Sequence, residues 1–310
     1  MTINSSLKAL MILFALFISF DGFSKEIALT FDDAPRAAKG YFDGKTRAAK
    51  LIANLKAHQV EQVAFFVVTS RLDAEGVARV NAYNTAGHII ANHSDTHPDF
   101  NRLTLEQYSD NFLRADRQLR PFSNFSPLYR FPYLREGNTL EKRNGMRALL
   151  KDRGYRNGYI TLNNYDWYIE TLFQQSIKSG QPLDMERMRQ FYVKTLMASI
   201  QYYDQMANTY LGRSPKHVLL LHEMDITALF IGDLVDELRR QGWKIISPEQ
   251  AYTDDIALYQ TERVLKYNPG RIGEIARDND QKSNLWHKTL DEAYLKQAFD
   301  QQVLNKTSQE

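Results

Sequence analysis

The 310-residue chain contains no cysteine. That excludes disulfides, cysteine nucleophiles and thiolate-held metals, so any bound metal must be held by His, Asp or Glu. A chain without thiols also suits an oxidising compartment. Excess charge is lacking too. With 39 Lys+Arg against 37 Asp+Glu, the formal charge is only +2, which points to no nucleic acid and no strongly acidic partner. Long hydrophobic runs are missing except for one. Ala9 to Phe20 is twelve residues long, short of the roughly 20 that cross a bilayer. With Lys8 before it and the small residues Gly22 and Ser24 after it, it reads as the apolar part of an export signal. Residues 1–24 are then expected to be removed before Lys25, leaving a periplasmic or secreted product with no stable membrane insertion. Internal repeats, low-complexity tracts and inter-domain linkers are also absent.

What is present is the composition of a soluble globular protein, 43% hydrophobic and 25% charged. From Glu26 onward, strand-like and helix-like stretches alternate. "EIALTFDD", "VAFFVVTS", "GHIIANHS", "PLYRFPY", "NGYITLN", "HVLLLHE" and "WKIIS" read as strands. Residues 45–58, 73–86, 104–119, 140–151 and 231–241 have helical spacing, with Thr104 a plausible N-cap and Gly154 a helix end. Strands that alternate with helices argue for βαβ units and a parallel sheet, and about seven such units suggest a barrel. Two regions break the rhythm. Tyr168 to Gly212 is polar and mostly helical, and reads as an inserted cap near the cleft. Residues 258–310 read as a polar extension packed on the outside of a barrel that spans 25–257.

In a parallel barrel the reactive groups gather at the C-terminal ends of the strands. Four predicted strand ends carry unusual residues: Asp32 and Asp33, the pair His93 and His97, Arg130, and His222. Asp166 is read as ending a strand as well. Burying two adjacent carboxylates is costly unless they are paired or bind a metal. The spacing of four in "HSDTH" places two imidazoles on one face of a helical turn. Two imidazoles and a carboxylate make a three-ligand metal site with an open position for water. An isolated HxxxH or Asp–Asp pair is more often structural; their conjunction at strand ends points to a site. One carboxylate is then a ligand, and the other is free to take a proton from the water. Arg130 is a natural partner for that second carboxylate. His222 is a candidate general acid, with Asp166 placed to raise its pKa and Trp167 to stack on a sugar ring.

"TFDD", "HSDTH", "RFPY", "DW" and "LLLH" occur in the order of the motifs of the polysaccharide deacetylase family, also known as the NodB-homology domain or carbohydrate esterase family four. The resemblance spans about Ile27 to Tyr252. It implies an α/β fold, a distorted (β/α)7-type barrel, here with an inserted helical segment at 168–212. It implies metal-dependent removal of acetyl groups from a glycan built on N-acetylglucosamine, such as peptidoglycan, a chitin oligomer or an exopolysaccharide. Residue by residue, it implies Asp32 as general base and Asp33, His93 and His97 as metal ligands. Arg130 orients the base, the Tyr133 amide receives the oxyanion, His222 is the general acid and Asp166 tunes it. Pro132, Tyr133 and Trp167 are expected at the substrate. Zinc suits this ligand set, with cobalt and manganese open. The sequence departs from the family at Ala34, where glycine is usual, at "RFPYLREG", which reshapes one wall through Leu134, Arg135 and Glu136, and at Asn163, where many members have an aspartate. Trp167 and His222 stand 55 positions apart, more than the family core needs. Two other readings are a glycan-binding protein that has lost catalysis and an amidohydrolase acting on a small amide.

Overall fold

The computed structural model describes residues 25–306, so the expected export signal at 1–24 lies outside the described residues. Strand β1 (Lys25–Ala34) is apolar and β-branched through "IALTF", and every residue from Ile27 on is buried. Such a run, hydrophobic on both faces, is what a central parallel strand requires. The chain continues through α1 (Gly44–Ala57), β2 (Ala64–Val67), α2 (Ala74–Thr85), β3 (Ile89–Asn92), α3 (Leu105–Leu119), β4 (Phe125–Tyr129), α4 (Leu140–Asp152) and β5 (Arg156–Asn157). Two consecutive helices follow, α5 (Asp166–Lys178) and α6 (Met185–Leu211). The chain then returns to the sheet with β6 (His217–His222), α7 (Asp225–Arg240) and β7 (Trp243–Ile245), and ends with α8 (Pro248–Ala251), α9 (Arg271–Asp278) and α10 (Glu292–Gln302).

All the strand pairings are parallel. The order is β5-β4-β3-β2-β1-β6, and β7 pairs the first residues of β1. The sheet is curled. Two strands separate β1 from β4, about 14 Å across a flat sheet at the usual strand spacing. Yet Arg130, just after β4, bonds to Asp32 of β1 at 2.6 Å. The architecture is therefore the expected α/β curled barrel.

Local signals explain most element ends. Thr104 caps α3 in a reciprocal capping box with Gln107. Gly212 closes α6 in the left-handed region, where a Cβ would be strained. Two expectations fail. "NGYITLN" forms no full strand: β5 keeps only Arg156 and Asn157, and the rest meets β6 through one bridge, Leu162 to Leu219. Three backbone hydrogen bonds join it there, Thr161 N and Leu162 N to Val218 O and Leu220 N to Leu162 O. The helix expected from Ile231 begins six residues earlier, at Asp225, because "DITALF" buries its apolar side on the barrel. Helix α6 packs on α7 and α9, and α10 packs on α5. Among the described residues no helix is long and apolar enough to cross a membrane.

Candidate active site

The sheet brings the predicted residues together at the C-terminal ends of β1, β3, β4 and β6. Asp32, Asp33, His93, His97, Tyr133, Trp167 and His222 line one cleft of about 510 Å³, and Arg130 and Asp166 are buried behind its surface. Asp32 and Asp33 sit on consecutive residues of β1, so their side chains would leave opposite faces of a regular strand. Asp33 instead adopts φ 70°, which breaks the alternation and turns its carboxylate into the cleft. Of the nine described non-glycine residues with positive φ, five are here: Asp33, Ser94, His97, Tyr133 and Leu134. Such conformations persist only where the surroundings over-determine them, and they gather at functional sites.

Asp33, His93 and His97 present one ligand atom each within 4.8 Å of one another. His97 Nε2 lies 3.3 Å and His93 Nε2 3.9 Å from Asp33 Oδ1. Asp33 Oδ1 is buried and has no hydrogen-bond partner. An orphaned carboxylate oxygen facing two imidazoles is what a cation would complete, so the donor set fits a divalent metal. His93 Nδ1 bonds to the Arg130 carbonyl at 2.8 Å. A carbonyl only accepts, so Nδ1 carries the hydrogen and Nε2 offers its lone pair. Burial lowers His93 and His97 to about 4, which keeps both neutral. Burial would raise Asp33, but His97, His222 and Arg36 outweigh it and hold the carboxyl well below the usual range. The pair does not converge by a helical turn, as its spacing of four predicts. Residues 93–97 form an irregular turn that bends through Ser94 and His97, both in the left-handed region. His97 N donates to Ser94 Oγ at 3.0 Å, which holds the bend.

Asp32 is held from behind. Arg130 Nη1 donates to Asp32 Oδ1 at 2.6 Å and to Thr30 Oγ1 at 2.7 Å. Its Nε donates to Gly158 O at 2.7 Å and its Nη2 to the Tyr252 hydroxyl at 3.0 Å, and the guanidinium lies 3.9 Å from the Phe66 ring. Asp32 Oδ2 remains on the side of the ligand trio, 3.8 Å from His93 Nε2. Burial raises the Asp32 pKa, and Arg130 and His222 oppose it without cancelling it. A carboxyl raised toward neutrality yet fixed in place has the character of a general base.

His222 ends β6 beside Asp32, its partner in the ladder. Asp166 does not end a strand. It opens α5, where the helix N-terminus favours its negative charge. Its carboxylate accepts from His222 N at 2.8 Å, from Trp167 N at 2.8 Å, and meets His222 Nδ1 at 2.7 Å. Burial alone would lower His222, but the Asp166 charge and hydrogen bond outweigh it and leave the pKa raised. The histidine thus turns Nδ1–H to Asp166 and leaves Nε2 for the cleft. Across from it, Tyr133 adopts φ 55° and its N–H finds no partner among the described residues. Tyr133 and Trp167 line the cleft, but Pro132 does not. Its buried ring sets the first position of a tight turn instead.

The cap expectation is overturned. No residue of 168–212 lines the cleft; the walls come from Asn163 to Trp167 and, unforeseen, from Tyr267, Asn268 and Trp286 of the C-terminal segment. Sequence reasoning also missed the support around the site. Arg36 Nη1 bonds to Asp33 Oδ2 and Arg71 Nη1 to Asp33 O, each at 2.6 Å. Asn164 donates to Leu220 O at 2.5 Å and accepts from Asp166 N at 3.0 Å, which fixes the start of α5. Buried Glu223 accepts from Arg36 N at 2.6 Å and from the Tyr83 hydroxyl at 2.8 Å, and pairs with Arg47 and Arg79. Its place beside His222 in "LLLHE" is the one signal that could have found it.

Residues 21–157 match the polysaccharide deacetylase family model. A peptidoglycan-N-acetylglucosamine deacetylase of Bacillus cereus is 26% identical over 109 residues, which covers 35% of this chain and 36% of that one. The chain spans about a third to a half of the length of the curated relatives it matches. Among solved structures, a mutant of BA3943, a CE4 family pseudoenzyme of Bacillus anthracis, with restored enzymatic activity superposes with a TM-score of 0.52 at 17% identity, over 74% of this chain and 68% of that one. The peptidoglycan deacetylase PdaC of Bacillus subtilis superposes with a TM-score of 0.50 at 19% identity, over 74% of this chain and 91% of that one. At these identities the likeness is one of fold.

Proposed function

This chain belongs to the polysaccharide deacetylase family, matched over residues 21–157, and from that premise we propose that it is an exported, metal-dependent hydrolase of N-acetyl groups on a glycan built on N-acetylglucosamine. The observation that carries this reading is the pairing of roles in one cleft. A held, raised carboxyl (Asp32) stands beside a ligand trio with an orphaned oxygen, opposite a charged-partner histidine (His222). Asp33, His93 and His97 would hold a divalent cation, zinc first among the candidates, which when bound polarises the acetyl carbonyl and lowers the pKa of its water to about 7. Asp32 takes the proton of the attacking water, with Arg130 fixing the carboxylate through the oxygen that does not react. The Tyr133 N–H, held outward by the left-handed turn, donates to the oxyanion as it forms. His222 gives its Nε2 proton to the departing sugar nitrogen as the carbon–nitrogen bond breaks, and Asp166 stabilises the imidazolium beforehand. Acetate and a free amino sugar leave.

The rival reading, a glycan-binding protein without catalysis, gives no reason for a free carboxyl held beside a ligand trio. The export half of the proposal rests on the apolar run Ala9 to Phe20. The test is acetate release from peptidoglycan, chitin oligomers and an acetylated exopolysaccharide by zinc-loaded protein. Chelated protein and Asp32→Asn run beside it, and ammonia is measured to detect a small-amide hydrolase. Loss of a general base lowers the rate about 10²- to 10⁴-fold. An Asp32→Asn protein that binds metal and keeps most of its activity would overturn the assignment of the base.

A further inference from the structure

Resting on the reading of the cleft as a glycan site, we propose that the C-terminal segment supplies its sugar-stacking surface, through Tyr267 and Trp286. Five large aromatic side chains are strongly exposed among the described residues, and three of them, Tyr133, Tyr267 and Trp286, line this one cleft. Tyr267 is 54% and Trp286 44% exposed. Exposed aromatics scattered singly need no explanation, but a set gathered around one cleft marks a binding surface. Flat aromatic faces suit the apolar faces of pyranose rings, and both side chains keep polar edges for the water around a glycan.

The two rings are held, which separates them from loose tail residues. Arg135 sits between Tyr133 and Tyr267, its guanidinium 5.2 Å from one ring and 5.0 Å from the other. Asp99 fixes that guanidinium at 2.5 Å, and Asn101 donates to Lys266 O at 3.0 Å. The loop that carries Trp286 is anchored by α6. The Tyr202 hydroxyl bonds to Asn284 O, the Tyr203 hydroxyl to Leu285 O at 3.4 Å, and the Tyr210 hydroxyl to Gln281. Leu285, next to Trp286, is buried. Helix α6 therefore acts on the cleft at one remove: it lines nothing, but it presents the loop that does. Neither ring is placed to touch the reacting acetyl group in this scheme. They hold neighbouring sugar units, so they set chain-length preference and are specificity residues.

The experiment uses Tyr267→Ala, Trp286→Ala and the two Phe replacements, with the tetramer of N-acetylglucosamine and the single sugar as probes. For each Ala variant, kcat/KM on the tetramer should fall about tenfold further than on the single sugar, carried by KM. The Phe variants should recover most of the loss. Tetramer binding to metal-stripped protein, followed by tryptophan fluorescence, should weaken by a similar factor. Equal losses on both probes, or unchanged tetramer binding, would refute the stacking role. So would a wild-type protein that does not bind the tetramer. If the wild type binds and the Ala variants do not, but no acetate is released, the stacking surface stands and the deacetylase reading falls. If acetate release is normal at both lengths in every variant, the reverse holds.

Discussion

Replacing Arg130 by methionine tests whether a buried ion pair holds Asp32 in place. Arg130 is fully buried, and its head makes four hydrogen bonds. Two of the four acceptors survive its loss. Thr30 Oγ1 keeps its bond to Leu219 O, and the Tyr252 hydroxyl keeps its bond to Tyr159 O. Two do not. Asp32 loses a charged hydrogen bond, a loss of about 1.5–3 kcal/mol, and Gly158 O is left without a donor, about 1–3 kcal/mol. Methionine refills the space against the Phe66 ring, so the cavity term is small. The sum, about 2.5–6 kcal/mol, brackets the general loss of about 3–5 kcal/mol on breaking a buried pair. It is a large share of a domain stability of about 5–15 kcal/mol. The sign with pH follows from Asp32. Burial already raises its pKa, and Arg130 is the largest opposing influence, so the variant raises it further. A carboxyl with a raised folded pKa stabilises most below its unfolded value of about 4, and that contribution is lost as pH rises through the folded value. The deficit of Arg130→Met should therefore be larger near neutral pH and shrink toward about pH 4. Urea unfolding of wild type and variant with chelator present, at both pH values, measures it. Adding Asp32→Asn to Arg130→Met removes the stranded charge and should recover about 2 kcal/mol. A deficit below about 1 kcal/mol that ignores pH, or a double variant less stable than Arg130→Met, would refute the reasoning.

Two further predictions concern the other buried charges. Asp166→Asn removes the charge that outweighs the burial of His222. The imidazolium is then disfavoured, so the alkaline limb of the kcat/KM profile should move to lower pH, and a limb that stays in place would remove Asp166 from the mechanism. Glu223→Ala leaves the buried Tyr83 hydroxyl and the Arg36 amide behind the site without their acceptor, and leaves Arg79 with Glu75 as its carboxylate partner. It should reduce stability by about 3–5 kcal/mol and Tm by about 10 °C, read by thermal unfolding; a drop under about 2 °C would show the network to be idle.

How far the sequence could be read depended on what each residue answers to. Asp32, Asp33, Arg130 and His222 were legible because polar groups at the end of apolar runs are conspicuous, and the period of two fixes where a strand ends. His93 and His97 are legible through their spacing, although the spacing suggests the wrong backbone. Their spacing fits a helical turn, but the turn is built from left-handed residues that no local preference favours. Asp166 reads as a strand end because "NGYITLN" has strand composition, yet tertiary contacts leave that stretch with one bridge, and Asp166 opens a helix. The position of Tyr168 to Gly212 is not legible for a simpler reason. Distance along the chain from Trp167 to His222 says that something is inserted, not which side of the barrel it covers. Conversely, Tyr267 and Trp286 stand in a polar stretch that looks external, and only the fold shows that it curves back to the cleft.

The uneven closure of the barrel bears on how the two sides of the cleft are held. Asp32 and His222 face each other across a regular ladder, β1 on β6, paired continuously from Ile27 to Asp32. The neighbouring rim, Asn163 to Trp167, hangs on a stretch joined to β6 by one bridge and three backbone bonds, and its side chains tie it there again, Asn164 to Leu220 O and Asp166 to His222. The weak place in the ring is thus sewn with side chains where a ladder is missing. Moving that rim outward would pull Asp166 from His222, so any widening of the groove there is coupled to the histidine. The segment that closes the barrel and the segment that holds the imidazole are the same, and neither task can be altered without the other.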